Sequence, residues 1–179
     1  MTTNIPARTL AIFICIAFAL SIPYSLAAGP RVSMQTGVAA QPDLRAIASV
    51  GLQYELPKGW KAENQENGNV FLTFEDGAAN VTFVFEENYP GVVEGMKNGL
   101  KEKLTDMKLD GAAKEDTHNG MKHLSESGTG MIGGVKITWS IDVLKATKHV
   151  TILTFGVEEV MQKHSDEYEK FISSLKKSN

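Results

Sequence analysis

Apolar side chains occupy every second position over residues 135–143, and the positions between them are polar. Successive side chains of a β-strand point to opposite faces of a sheet, so this pattern predicts a strand with one buried face. β-Branched residues and Trp139 fill the apolar positions, as is typical of strands in a core. We therefore expect this strand at the centre of a sheet, with Trp139 buried.

Six further segments carry strand signals, and two carry helix signals. The strand segments are residues 52–56, 70–74, 81–85, 114–118, 121–127 and 149–157. Apolar residues recur at three- and four-residue intervals at Val93, Met96, Leu100, Leu104 and Met107, and again over residues 161–175. This spacing predicts two amphipathic helices, one before Gly111 and one closing the chain with Lys176 and Lys177 in its last turn.

The first 27 residues have the order of an export signal. Arg8 supplies a positive charge, an apolar run over residues 10–20 follows, and small residues precede Ala28. The run is shorter than the roughly 20 apolar residues that span a bilayer, and Pro23 follows it. We expect a cleaved signal peptide over residues 1–27 rather than an anchor, and hence a secreted or periplasmic protein with no transmembrane span after cleavage.

Two regions follow the predicted signal peptide. Residues 28–49 are rich in alanine, glycine, glutamine and proline, which predicts a flexible linker, with a short helix over residues 43–48 as the alternative. Residues 50–179 are predicted to form a single α/β domain. The only cysteine, Cys15, lies in the signal peptide, so disulfides, thiolate metal clusters and a cysteine nucleophile are excluded from the mature chain.

The charge pattern argues against nucleic-acid binding. The formal net charge is −3, and the lysines and arginines are scattered along the chain. A phosphate-binding surface is expected to show a basic patch with aromatic residues between the basic ones. We therefore expect no nucleic-acid partner.

One turn and the order of the elements give a family resemblance. A strand ends in Pro57-Lys58-Gly59-Trp60, and a hairpin, a long helix, an antiparallel meander and a C-terminal helix follow. This order resembles the PsbP-like fold family, which includes exported bacterial domains. The resemblance implies an α+β fold in which an antiparallel β-sheet packs with helices in an α/β/α sandwich. It also implies a protein-binding role and carries over no catalytic motif.

The glycines from Gly128 to Gly133 match the spacing of a dinucleotide-binding loop. Such a loop grips the phosphates only when a helix begins directly after the last glycine, and an acidic residue is needed about 20 residues later. Here a strand pattern follows. We interpret the segment as a flexible hairpin loop and expect no nucleotide cofactor.

A candidate metal site comes from the turn signal Asn119-Gly120. A two-residue turn there places His118 opposite Met121 and Asp116 opposite His123, so that the four side chains share one face. Two imidazoles, a thioether and a carboxylate are suitable ligands for copper or zinc. The alternative is an ordinary salt bridge between Asp116 and His123 on a solvated hairpin.

The sequence therefore favours a binding protein over an enzyme. None of its serines and threonines stands in a recognisable nucleophile motif, and its four histidines form no catalytic signature. We expect a non-catalytic domain that binds another protein of the cell envelope or assists assembly there. The second interpretation is a small-ligand or metal-ion binding protein that uses residues 116–123 and carries copper or zinc.

Overall fold

The computed structural model describes residues 43–66, 68–85 and 89–178. The predicted signal peptide and most of the predicted linker lie outside the described residues. The described strands are β1 (Asp43–Ile47), β2 (Leu52–Leu56), β3 (Lys61–Asn64), β4 (Val70–Phe74), β5 (Ala79–Val84), β6 (Thr105–Leu109), β7 (Lys114–His118), β8 (Met121–Ile132), β9 (Val135–Lys145), β10 (His149–Val157) and β11 (Lys176–Lys177). The described helices are α1 (Tyr89–Lys103), α2 (Glu158–Lys163) and α3 (Ser165–Ser174), and a short 3-10 turn covers Glu75–Gly77.

Eight of the described strands form one antiparallel sheet. Its order is β3-β4-β5-β10-β9-β8-β6, and β7 also pairs with β8. The other three strands form a small antiparallel sheet with β2 between β1 and β11. The strand pattern over residues 135–143 thus correctly predicted β9, which lies in the interior of the large sheet between β8 and β10.

Helices cover both faces of the large sheet. Lys97 of α1 bonds to Glu126, which lies opposite Ile141 in the ladder, so α1 lies on the face of Ile141. Tyr168 of α3 lies 3.4 Å from the hydroxyl of Ser140, which points to the other face. The fold is therefore an α+β sandwich, as the family resemblance implied.

The face under α1 holds the predicted tryptophan. Trp139 is 0 % exposed, and Ile137 and Ile141 beside it on β9 are also buried. α1 contributes Val92, Met96 and Leu100 to the same side. The predicted burial of Trp139 is confirmed.

The opposite face holds a larger core rich in aromatic rings. Tyr54 of β2 stacks on Phe83 of β5 with 5.4 Å between ring centroids, and Phe171 of α3 meets Tyr54 edge-on. Trp60 stacks on Phe74 at 4.1 Å. The small sheet, α3 and the large sheet therefore enclose one apolar layer.

The folded region begins earlier than the sequence predicted. Residues 43–47 form β1, which pairs with β2 from Asp43 opposite Leu56 to Ile47 opposite Leu52. Both the flexible linker and the alternative short helix are wrong for these five residues. The strand is mostly exposed, so its sequence shows no alternation of apolar and polar side chains; backbone pairing with β2 holds it.

Both predicted helices are shorter than expected. α1 ends at Lys103, and the chain then enters β6, where Asp106 has a φ of 50° at a bulge between Thr105 and Lys108. The expected helical position of Met107 is therefore wrong. At the end of the chain, Lys176 and Lys177 form β11 and do not belong to a last helical turn.

His164 divides the predicted C-terminal helix into α2 and α3. Its Nδ1 lies 2.7 Å from Glu167 Oε2 and its Nε2 lies 2.7 Å from Glu75 Oε1. Lys163 pairs with the same Glu75 carboxylate. Hydrogen bonds to Glu75 and then to Glu167 raise the pKa of His164 above its usual range. The junction of the two helices is thus fastened to the 3-10 turn between β4 and β5.

The glycine-rich segment is a strand and not the loop that we expected. β8 runs through Gly128 and Gly130, and the turn comes only at Gly133 and Gly134, with φ values of 56° and 85°. A Cβ on Gly130 would come 2.9 Å from the Leu104 side chain. These glycines leave room for neighbouring atoms, and the segment that follows them is a strand, as predicted.

Candidate functional site

The β7–β8 hairpin has the predicted register. Asn119 and Gly120 form its turn with φ values of 47° and 75°, as a type I′ turn requires. Asp116 lies opposite His123, and His118 lies opposite Met121. The centroids of the two imidazole rings are 5.9 Å apart, so the histidines share a face as predicted.

The four predicted ligands differ in their surroundings. Met121 is fully buried and belongs to the aromatic core layer, whereas Asp116 is exposed. Among the described residues, no three His, Cys, Asp or Glu side chains are grouped closely enough to hold a metal ion. Binding of copper or zinc by these residues therefore stays a prediction.

Both ring nitrogens of His123 already have carboxylate partners. Nδ1 lies 2.8 Å from Asp116 Oδ1, and Nε2 lies 3.0 Å from Asp142 Oδ1. A neutral imidazole carries only one N–H, so donating to both carboxylates requires the protonated ring. The bond to Asp142, opposed by burial and supported by the bond to Asp116, raises the pKa of His123.

The polar contacts continue from β9 to α3. Ser140 Oγ donates to Asp142 Oδ2 at 2.9 Å, and the hydroxyl of Tyr168 lies 2.9 Å from Thr154 Oγ1. Burial raises the pKa of Tyr168 to about 12, so this phenol stays protonated. Because Ser140 donates to a carboxylate and not to an imidazole, the arrangement lacks the serine–base contact of a catalytic triad.

The sequence did not reveal Asp142, Ser140 or Tyr168 as part of this group. Asp142 is only 8 % exposed although it occupies a polar position in the alternating pattern of β9. An acidic residue between two apolar ones in an interior strand was the available signal, because buried acids need partners.

Asn119 connects the hairpin turn to the end of α3. Its side-chain nitrogen donates to the backbone oxygens of Ser173 at 2.9 Å and Leu175 at 2.8 Å. The last carbonyls of a helix have no partner within the helix. The Asn119 amide therefore fixes the hairpin relative to α3.

An open cleft of about 700 Å³ lies beside the hairpin, at the end of the large sheet. Leu124 of β8 and Val143 of β9 form its apolar floor; they lie opposite each other in the ladder, with Glu115 of β7 opposite Leu124 on the outer side. Val143 shares the face of Ile141, so the cleft lies on the side of the sheet that carries α1. Its volume is in the usual range for ligand sites.

Basic side chains line one end of the cleft. Lys122, Lys145 and His149, which we call the basic row, stand on β8, β9 and β10. The ring of His149 lies 4.2 Å from that of Tyr89 at the start of α1. Burial and the neighbouring Lys145 ammonium lower the pKa of His149. Lys122 and Lys145 thus place two positively charged side chains at this end of the cleft.

Sequence comparisons give no relative for this chain: no family model matches it, and no curated protein matches it. Among solved structures, the cyanobacterial PsbP (CyanoP) from Synechocystis sp. PCC 6803 superposes with a TM-score of 0.56 at 11 % identity, covering 79 % of this chain and 96 % of that one. The chain has a PsbP-like fold. LpqN, involved in cell envelope biogenesis of Mycobacterium tuberculosis, matches with a TM-score of 0.48 at 10 % identity, over 79 % of this chain and 88 % of LpqN.

Proposed function

We propose that this protein is an exported domain that binds another protein of the cell envelope and catalyses no reaction itself. The cleft beside the β7–β8 hairpin is the observation that carries this proposal. It combines an apolar floor, Leu124 and Val143, with charged side chains around it, as protein-binding surfaces do. Most of its lining residues belong to four neighbouring, hydrogen-bonded strands, β7, β8, β9 and β10, so that the surface is preformed in the sheet.

The state of the polar side chains supports binding over catalysis. The Ser140 hydroxyl donates to Asp142, and both nitrogens of His123 contact carboxylates. A general base needs a free acceptor, and a serine nucleophile needs a base beside it. Ser140 and His123 are therefore engaged in contacts with carboxylates and are not arranged as a nucleophile and its base.

The export part of the proposal rests on the N-terminal sequence. Residues 1–27 have the order of a signal peptide, and the predicted linker follows them. Among the described residues, no helix is long and apolar enough to cross a membrane. We propose that the mature chain is released into the periplasm or the medium.

Site-specific cross-linking tests the proposed surface. A photoreactive amino acid replaces the exposed Thr117, which lines the cleft, in the full chain expressed in its native cells. The matched control carries it at Glu63, an exposed position on the edge strand β3 at the far end of the sheet. We expect a discrete protein adduct from Thr117 and none from Glu63. Equal adducts, or none, would contradict the proposal.

A metal-ion carrier is the second candidate, favoured by the 5.9 Å separation of the His118 and His123 rings. In this proposal Asp116, His118, Met121 and His123 hold copper or zinc. Protein purified without chelators would contain about one metal ion per chain by elemental analysis, and the His118→Ala/His123→Ala variant would contain none. An equal metal content in both proteins would reject the site.

A further inference from the structure

We infer that the cleft recognises an extended segment of the partner protein in which an acidic side chain stands two positions from an apolar one. This inference rests on the proposed protein-binding function and specifies the chemistry of the partner. It follows from the basic row, from the apolar floor and from the spacing between them.

The strand register places the basic side chains next to one another. Lys145 lies opposite His149 in the β9–β10 ladder. Lys122 stands one position before His123, which pairs with Leu144, so Lys122 and Lys145 are neighbours across β8 and β9. Like charges at such positions repel each other and destabilise a sheet.

Direct ion pairs do not offset this repulsion in the described part of the chain, although Glu115 and Asp116 line the same cleft. Neither Lys122 nor Lys145 forms an ion pair with another described residue. Burial lowers the pKa of His149, and the positive charge of Lys145 lowers it further. A carboxylate from a partner, placed between the two ammonium groups, would remove the repulsion and gain two ion pairs.

The apolar floor sets the second element of the partner. Leu124 stands two residues after Lys122, and Val143 stands two residues before Lys145, so floor and basic row are about 7 Å apart along the strands. Alternate side chains of an extended segment have the same spacing and point the same way. A carboxylate at one position and an apolar side chain two positions on would meet both parts of the cleft.

Glu115 fixes the direction of the segment. It lies opposite Leu124, at the apolar end of the cleft and away from the basic row. Its carboxylate disfavours a second acidic group at the apolar end. The acidic side chain of the partner is therefore directed to Lys122 and Lys145.

Peptide binding with a charge exchange tests the inference. The probes are two amidated, fluorescein-labelled peptides, Ser-Gly-Glu-Ser-Leu-Ser-Gly and the same sequence with lysine in place of glutamate. Binding to the mature chain is followed by NMR chemical-shift changes and fluorescence anisotropy. We expect the glutamate peptide to shift the signals of Leu124 and Val143 and the lysine peptide to bind about tenfold more weakly.

Charge reversal in the protein should exchange these preferences. The Lys122→Glu/Lys145→Glu variant should bind the glutamate peptide about tenfold more weakly than the unchanged protein and should bind the lysine peptide better. The control, Lys61→Glu/Lys101→Glu, makes the same change in net charge at exposed positions on β3 and α1 and should leave the preference unchanged. Circular dichroism confirms that both variants are folded.

Several results would overturn the inference. The inference is wrong if the glutamate peptide does not bind, or if both peptides bind equally. It is also wrong if the Lys122→Glu/Lys145→Glu variant keeps the preference of the unchanged protein. In a competition experiment with decanoate, a small amphiphilic anion, the inference is wrong if decanoate displaces the peptide at a lower concentration than the peptide needs for its own binding. If cross-linking from Thr117 succeeds and the peptides fail, only the partner chemistry is wrong. If cross-linking fails, the proposed function is wrong as well.

Discussion

The indole of Trp139 lies so close to Gly128 that any side chain at position 128 would collide with it. A Cβ built on Gly128 would come 2.7 Å from Trp139 Cζ2 and 2.2 Å from the backbone oxygen of Lys108. Gly128 and Trp139 are opposite each other in the β8–β9 ladder. Because Gly128 has no side chain, it leaves room for the indole of Trp139, the largest buried side chain on the α1 face of the sheet.

Replacing Gly128 with alanine should destabilise the fold. Neither the backbone of β6 nor the buried indole can move without disturbing the core, so we expect Gly128→Ala to lower the free energy of unfolding by about 1–3 kcal/mol. Urea denaturation measures it. Thr129→Ala, on the next residue of β8, is the control and should cost less than Gly128→Ala. A Gly128→Ala protein as stable as the unchanged one would contradict the close packing.

Removing the Asn119 side chain should loosen the hairpin from α3. Glycine tolerates the φ of 47° at this position, so Asn119→Gly removes the two hydrogen bonds to Ser173 and Leu175 without adding backbone strain. We expect a loss of about 1–2 kcal/mol in unfolding free energy. Asn119→Asp should be worse, since its carboxylate faces carbonyl oxygens. Hydrogen exchange of β11 amides should rise in both variants; unchanged exchange would show that Asn119 does not hold this end.

The stability of the protein should depend on pH through His164. Glu75 and Glu167 raise the pKa of His164 in the folded state. Protonated His164 therefore stabilises the folded state fully at pH values below the ordinary histidine pKa of about 6.5, and this stabilisation is lost as the pH rises through the raised pKa. The Tm difference between the unchanged protein and His164→Gln should therefore be largest near pH 5.5 and shrink by pH 8.5. His149→Gln is the control, because the pKa of His149 is lowered and its effect has the opposite sign. A constant difference for His164→Gln would refute the assignment.

Export should remove the first 27 or 28 residues. Small residues stand beside Ala28 where signal peptidase requires them, and Cys15 lies too early for lipid attachment. The intact mass of protein recovered from the periplasm or medium should correspond to a chain that begins at Ala28 or Gly29. A mass that includes residues 1–27, or a lipid adduct, would exclude this processing.

Much of the fold could be predicted from local patterns, and the errors have physical causes. The alternation in β9 correctly predicted an interior strand because α1 covers one of its faces. β1 was missed because an exposed edge strand needs no apolar alternation. Gly128 was assigned to a loop because the sequence does not show that Trp139 occupies the space beside it.

The candidate site could be predicted only in part. The Asn119-Gly120 turn fixed the pairing of Asp116 with His123, since a two-residue turn allows one register. The second carboxylate partner of His123 is Asp142, which is buried because α3 covers the second face of β9. The alternating pattern of β9 alone does not predict that a helix covers this face. The cleft forms only because β7, β8, β9 and β10 lie side by side in the sheet. Pairing between strands that are distant in the sequence leaves no pattern in the local sequence.

The position of β2 between β1 and β11 affects when the fold can form during synthesis. Lys176 and Lys177 pair with Gln53 and Leu52, almost the whole length of the domain apart. The pairing of β2 with β11 therefore cannot form until residue 177 has left the ribosome, and contacts between such distant residues form slowly. The small sheet is thus completed only after every other described strand has been synthesised, which is compatible with the export that we propose.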